Sequence, residues 1–175
     1  MKQFTQRPLK IKPNLKQITL FAILGVVLFV AQVVLAAIGN VELVTVLIIA
    51  YTVVFGLKAL IPTYIFAFLE IMVYGFGIWN IMYLYVWAIL VVLIYLLKAF
   101  ENKIFFAVIA AFYGLFFGTL CSIPYFVAGG ASLGIPWVIN GIPHDIVHCV
   151  SNFVLVFAAY EPIKNTLKKI IKPAV

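Results

Sequence analysis

The chain has 175 residues, of which 66% are hydrophobic and 10% charged. A water-soluble domain needs more polar surface than that, so lipid is the solvent this composition fits, and the length suits one compact bundle. The net charge of +7 does not call for nucleic acid, because the basic residues fall where a membrane protein places them, as shown below.

Taken in chain order, the apolar runs predict six membrane-spanning helices, each near the ~20 residues that a bilayer core requires. They cover 15–38, 41–55, 59–76, 81–97, 104–126 and 141–160. The first run is too long for a signal peptide and lacks a small-residue cleavage site, so it is expected to be a span. Strict alternation of polarity, the mark of a membrane barrel, is absent, and backbone groups in lipid are satisfied within helices. The breaks carry turn chemistry: Gly39 and Asn40, then Gly56 to Lys58, then Gly75 to Gly77, then a charged loop from Ala99 to Lys103. The longest connection is expected to open at Ala128 to Ser132 and run through Pro136 and Trp137 to Pro143. This gives a basic segment over 1–14, a membrane domain over 15–160 and a basic tail over 161–175. Cys121 and Cys149 both lie in apolar runs and read as small buried hydrophobes.

Charge sets the orientation. Lys2, Arg7, Lys10, Lys12 and Lys16 precede the first span, Lys58 follows the second, Lys98 and Lys103 flank the fourth loop, and Lys164, Lys168, Lys169 and Lys172 follow the sixth. In a six-span chain all twelve lie on one side, which predicts N-in and C-in topology in an all-α bundle. The basic rim suits anionic lipid headgroups, and no nucleic-acid partner is needed.

The opposite half holds the candidate site residues. Asn40 and Glu42 sit at the first outer turn, Glu70 lies about 10 Å inside the third span from Gly77, and Asn80 opens the fourth. Asp145, His148 and Asn152 share a helical face at i, i+3 and i+7, as do Asn80, Tyr83 and Trp87, while Glu70 and Tyr74 are one turn apart. With Trp79, Trp137 and His144 these residues compose one outward pocket, polar at a few points and aromatic elsewhere. Alternatives stand beside this reading. Tyr83, Tyr85 and Trp87 also suit an interfacial belt, and Asn40 and Glu42 a solvated turn and helix cap. Asp145 suits stabilisation of a helix N-terminus, His148 and Asn152 interhelical hydrogen bonds, and Glu70 a neutral buried acid.

His144 and His148 stand one turn apart, as in helical zinc sites, but Asp145 replaces the glutamate of the protease pattern and no third ligand is evident. A metal-dependent membrane enzyme is therefore the lesser alternative. Gly114 and Gly118 form a small-xxx-small pair that predicts close helix packing. No phosphate loop is present, no nucleophile has a base beside it, and no cofactor is expected.

Three stretches resemble the substrate-binding S components of energy-coupling factor (ECF) vitamin transporters. They are Asn40-Val41-Glu42-Leu43-Val44-Thr45, Tyr74-Gly75-Phe76-Gly77-Ile78-Trp79-Asn80 and Gly141-Ile142-Pro143-His144-Asp145-Ile146-Val147-His148-Cys149-Val150-Ser151-Asn152-Phe153. The six-span layout, small size and basic tails are similar too. The resemblance implies a binding subunit in a bacterial plasma membrane, not an enzyme. Such a subunit captures a vitamin or vitamin precursor outside, then works with a transmembrane coupling (T) subunit and two cytoplasmic ATPases. The subgroup it looks nearest to suggests a corrinoid or α-ribazole; pyridoxine, riboflavin or a pyrimidine are the alternatives. Many members dock the coupling subunit through small residues four apart on the first helix. Here Ala22 and Gly25 give a small face, but Val26 and Leu35 interrupt the pattern.

Overall fold

The computed structural model describes residues 15–36, 39 and 41–171. The basic segment over 1–14, Asn40 and the last four residues lie outside them. The described residues form helices and no strand: α1 (Leu15–Leu35), α2 (Val44–Phe55), α3 (Leu60–Tyr74), α4 (Ile78–Leu97), α5 (Lys103–Leu115), α6 (Phe117–Cys121), α7 (Ile123–Gly129) and α8 (Ala131–Ile171).

Among the described residues four helical stretches are long and apolar enough to cross a membrane: Leu15–Leu35, Val44–Tyr74, Ile78–Phe100 and Ala131–Ile171. The pair Lys103–Leu115 and Phe117–Gly129, bent by 47°, makes a fifth if it acts as one span. The second stretch joins α2 to α3 through a short 3-10 turn, yet Gly56 at φ 62° cannot continue an α-helix. Side-chain contacts give the directions on either side of it. Phe21 meets Phe55 and Tyr51 reaches the Leu24 carbonyl, so α1 and α2 are antiparallel. Gly25 lies against Pro62 and Ile65, and Phe29 against Tyr74, so α1 and α3 are parallel. The chain therefore reverses at Gly56. It reverses again at Gly75 (φ 81°), as Phe66 packs on Trp87 and Tyr74 on Trp79.

Local capping places two further helix starts. Asn102 accepts from the amides of Ile104 and Phe105 and opens α5. Asn80 accepts from the amide of Gly77, the side-chain half of a capping box, and opens α4 three residues earlier than its hydrophobic run suggests. α5 and α8 then form an antiparallel seam: Phe106 faces Tyr160, Ala110 faces Asn152, and Gly114 faces His148. Ala107, Ala110 and Gly114 are all buried, and their small size lets the backbones approach. A Cβ on Gly114 would come within 2.8 Å of the His148 carbonyl oxygen, and one on Gly118 would strike the Asp145 carboxylate.

Two expectations are corrected here. The fifth run is not one helix but three pieces, α5 to α7, with breaks at Phe116 and Ser122. The expected long connection from Ala128 to Pro143 is helical from Ala131 onward, as the first part of α8, which continues to Ile171. Proline cannot donate to the helix ladder, but three isolated prolines (Pro136, Pro143 and Pro162) each remove only one such bond. The turn shrinks to Gly130 at φ 61°. Beyond it, Tyr125 stacks on Trp137 at 3.9 Å, and Gly134 leaves room for the Phe126 ring, so α7 and the first turns of α8 form a hairpin. At 41 residues, α8 is about 62 Å long, roughly twice the hydrocarbon thickness of a bilayer.

The described lysines gather at one end of the bundle. Lys98 lies beside Gly56, Lys103 lies over Phe157, and Lys164 bonds to both Glu101 and Glu161. Large apolar side chains such as Val30, Val34, Met72 and Val127 stay exposed on the flanks, a surface suited to lipid.

Candidate functional site

At the end opposite the lysines, a cavity of about 250 Å³ opens between four helices. Glu42 and Val41, just before α2, form one wall, and Gln32, Leu35 and Ala36 at the end of α1 form the next. Tyr83 and Trp87 on α4, Phe117 on α6 and His148 on α8 complete it.

Its centre is a hydrogen-bonded couple. The Glu42 Oε1 stands 3.0 Å from His148 Nε2, although the residues are 106 positions apart. Both are buried, Glu42 8% and His148 3% exposed. The second carboxylate oxygen accepts from the Thr45 amide at 2.8 Å. Glu42 thus caps α2 and serves the cavity at once, and its burial removes the solvated-turn alternative. Phe117 meets the His148 ring edge-on at 4.8 Å. One helical turn further along α8, the Asn152 amide reaches Thr45 Oγ1 and the Ala110 carbonyl, which ties α2, α5 and α8 together beneath the pair.

Three lining residues carry buried polar atoms with no hydrogen-bond partner among the described residues: Gln32 Oε1, Trp87 Nε1 and His148 Nδ1. Burying such atoms unpaired costs free energy, and they cluster around one space. Among the described residues the lining contains no Ser, Thr, Cys, Lys or Arg. It offers hydrogen-bonding groups and aromatic faces.

The expected site residues divide into three groups. Glu42, Tyr83, Trp87 and His148 line the cavity. Tyr74 and Trp79 do not, but their rings continue the aromatic row outward, from Tyr83 to Trp79 at 5.6 Å and on to Tyr74 at 6.4 Å. The others lie elsewhere. Glu70 is buried in α3 with Oε1 unpartnered among the described residues, outside the cavity lining. Asn80 is held in its capping role. Trp137 belongs to the α7–α8 hairpin. His144 is exposed on α8. Asp145 accepts from the Gly118 amide at 2.9 Å, so it caps α6 across the interface and not its own helix, which begins fourteen residues earlier. Asn40 lies outside the described residues.

The first-helix pair also separates. Ala22 is exposed, whereas Gly25 is buried where a Cβ would fall 2.5 Å from Ile65. Gly25 therefore serves packing against α3, and only Ala22 of the two faces outward. His144 and His148 differ in burial, and among the described residues no group of three His, Cys, Asp or Glu side chains is placed to hold a metal ion. Cys121 and Cys149 are free.

Sequence reasoning missed Gln32 and Phe117. Gln32 carried a signal, since it is the one polar residue of α1 beyond Thr19. Its amide approaches the Tyr83 hydroxyl at 3.4 Å. Phe117 carried none, because it reaches the cavity only through the break after Leu115. A second recess of about 470 Å³ follows α4 between Leu84 and Leu96 and is almost wholly apolar.

Comparisons with family models, with characterised proteins and with solved structures give no match.

Proposed function

We propose that this chain is the substrate-capture subunit, the S component, of an ECF-type importer in a bacterial plasma membrane. In this reading α1, α2, α3, α4, the bent α5–α7 segment and α8 are six successive crossings with both termini inside. The reversals at Gly56 and Gly75 support the count. The gathering of lysines at one end supports the orientation. The cavity then opens outward.

One observation carries the reading. Two of the stretches that resemble S components, 40–45 and 141–153, meet at the cavity, where Glu42 and His148 stand 3.0 Å apart. A buried, aromatic-walled space with a few convergent polar groups is the form of a small-molecule site. The lining supports capture of a vitamin-like heterocycle in preference to catalysis. Energy for uptake comes from a transmembrane coupling subunit and two ATPases, with Ala22 on the face of α1 open to a partner. The test is isolation of the tagged chain from its native membranes. Co-purification of a coupling subunit and ATPases, with ATP-dependent uptake of a vitamin-like compound, supports the assignment. A chain that isolates alone and supports no uptake overturns it.

A further inference from the structure

The cavity also limits what it accepts. We infer that its ligand is a one- or two-ring nitrogen heterocycle that is uncharged or cationic, and that anionic vitamins and corrinoids are excluded. This rests on the capture reading above and narrows it.

Size comes first. Sites for drug-sized ligands run from roughly 300 to 1,000 Å³. This cavity, at about 250 Å³, falls just below that range. One or two fused rings fit such a space; a corrin macrocycle does not. The walls cannot all yield, because Trp87 and His148 are buried and Trp87 packs against Phe66, Tyr113 and Phe117.

Charge comes second. Among the described residues the lining holds the Glu42 carboxylate and no Lys or Arg. The described lysines stand at the far end, and Glu70 and Asp145 add acidic groups to the cavity half. Among the described residues a buried carboxylate or phosphate on the ligand would find no Lys or Arg, and the imidazole is already engaged by Glu42; an unpaired buried charge is costly. The faces of Tyr83, Trp87 and Phe117 carry the negative side of the ring quadrupole, which favours an electron-poor or cationic ring.

Hydrogen bonding comes third. Trp87 Nε1 can only donate, and Gln32 Oε1 can only accept. Both lack partners among the described residues. Ligands that satisfy both need an acceptor and a donor on one small frame, as a ring nitrogen beside an exocyclic amine, amide or hydroxyl provides.

The test uses the purified full chain in lipid nanodiscs and matched probes. Pyridoxine is titrated against 4-pyridoxate, nicotinamide against nicotinate, and benzimidazole against benzimidazole-5-carboxylate, with thiamine as the cationic probe and cyanocobalamin as the large one. At least one uncharged or cationic probe is expected to bind. Its carboxylated partner, where it has one, should bind at least about tenfold more weakly, a difference of about 1.4 kcal/mol. Gln32→Leu should weaken the best probe by a similar factor without lowering the melting temperature of the empty protein. Tighter binding of a carboxylated probe or of cyanocobalamin overturns this inference and leaves the capture reading standing. Binding of no probe, together with no small molecule carried through purification, overturns both.

Discussion

Gly114→Ala tests the seam on which the cavity depends. An added Cβ would lie 2.8 Å from the His148 carbonyl oxygen, 2.9 Å from its carbon and 3.0 Å from the Cys149 nitrogen. All three are backbone atoms of α8, so no side chain can rotate away. Ordinary contact begins at 3.4 Å, and α5 and α8 must therefore separate by about 0.6 Å. The displaced segment carries His148 itself. Moving its Nε2 by that distance takes a 3.0 Å contact with Glu42 beyond the roughly 3.2 Å upper end of good N–H···O bonds. Overpacking of this kind costs about 1–3 kcal/mol. Gly141→Ala is the control, since it is also helical and its Cβ would meet nothing within 4 Å. Relief of the glycine penalty there contributes up to about 1 kcal/mol. Thermal unfolding in one detergent should place Gly141→Ala at or above the parent and Gly114→Ala below it. Equal melting temperatures for the two variants would refute the close approach of α5 and α8.

Other outcomes follow from single contacts. Glu42→Ala strips both the Thr45 amide and His148 Nε2 of an acceptor, while Glu42→Gln keeps one acceptor oxygen for the two, so melting should fall in the order parent, Gln, Ala; each buried polar group left unsatisfied costs about 1–3 kcal/mol. At the lysine end, the hydrogen bond from Lys164 and the charges of Lys164 and Lys168 hold the Glu101 carboxyl below its ordinary range. A depressed carboxyl stabilises the fold above its unfolded pKa and loses that contribution as pH falls through its folded pKa. Glu101→Gln should then be slightly less stable at neutral pH, by under about 1 kcal/mol for so exposed a group, and should show a flatter acid limb in a pH series of melts. For topology, cysteines at Phe76 and Leu57, both exposed, in a chain with Cys121 and Cys149 replaced by Ala, should label oppositely. Phe76→Cys should react from outside intact cells and Leu57→Cys only after permeabilisation; labelling of both from one side removes the orientation.

Much of this was legible in the sequence, for identifiable physical reasons. Apolar length located α1 to α4 and the start of α5, because a helix that faces lipid needs a long apolar run. Asp145, His148 and Asn152 share one face as their spacing implies, and all three are buried. What periodicity could not show was which neighbour each would meet. Asp145 caps α6 and Asn152 braces α2, so only His148 of that stripe reaches the cavity. Glu70 drew attention by its depth, but depth along a helix says nothing of rotation about it. Prolines and glycines misled over 128–143, where Pro136 and Pro143 are absorbed into α8 and Gly130 alone makes the turn. Gly25 illustrates the reverse: a small residue read as a docking surface is small because α3 packs on it.

The most direct measurement is mass spectrometry of small molecules released by denaturing the purified chain, run beside His148→Ala. A single nitrogen heterocycle, near one per chain in the parent and depleted in the variant, is the expected result. Parent and variant preparations that both release no such compound, from membranes where uptake is active, would contradict the assignment of this cavity to capture.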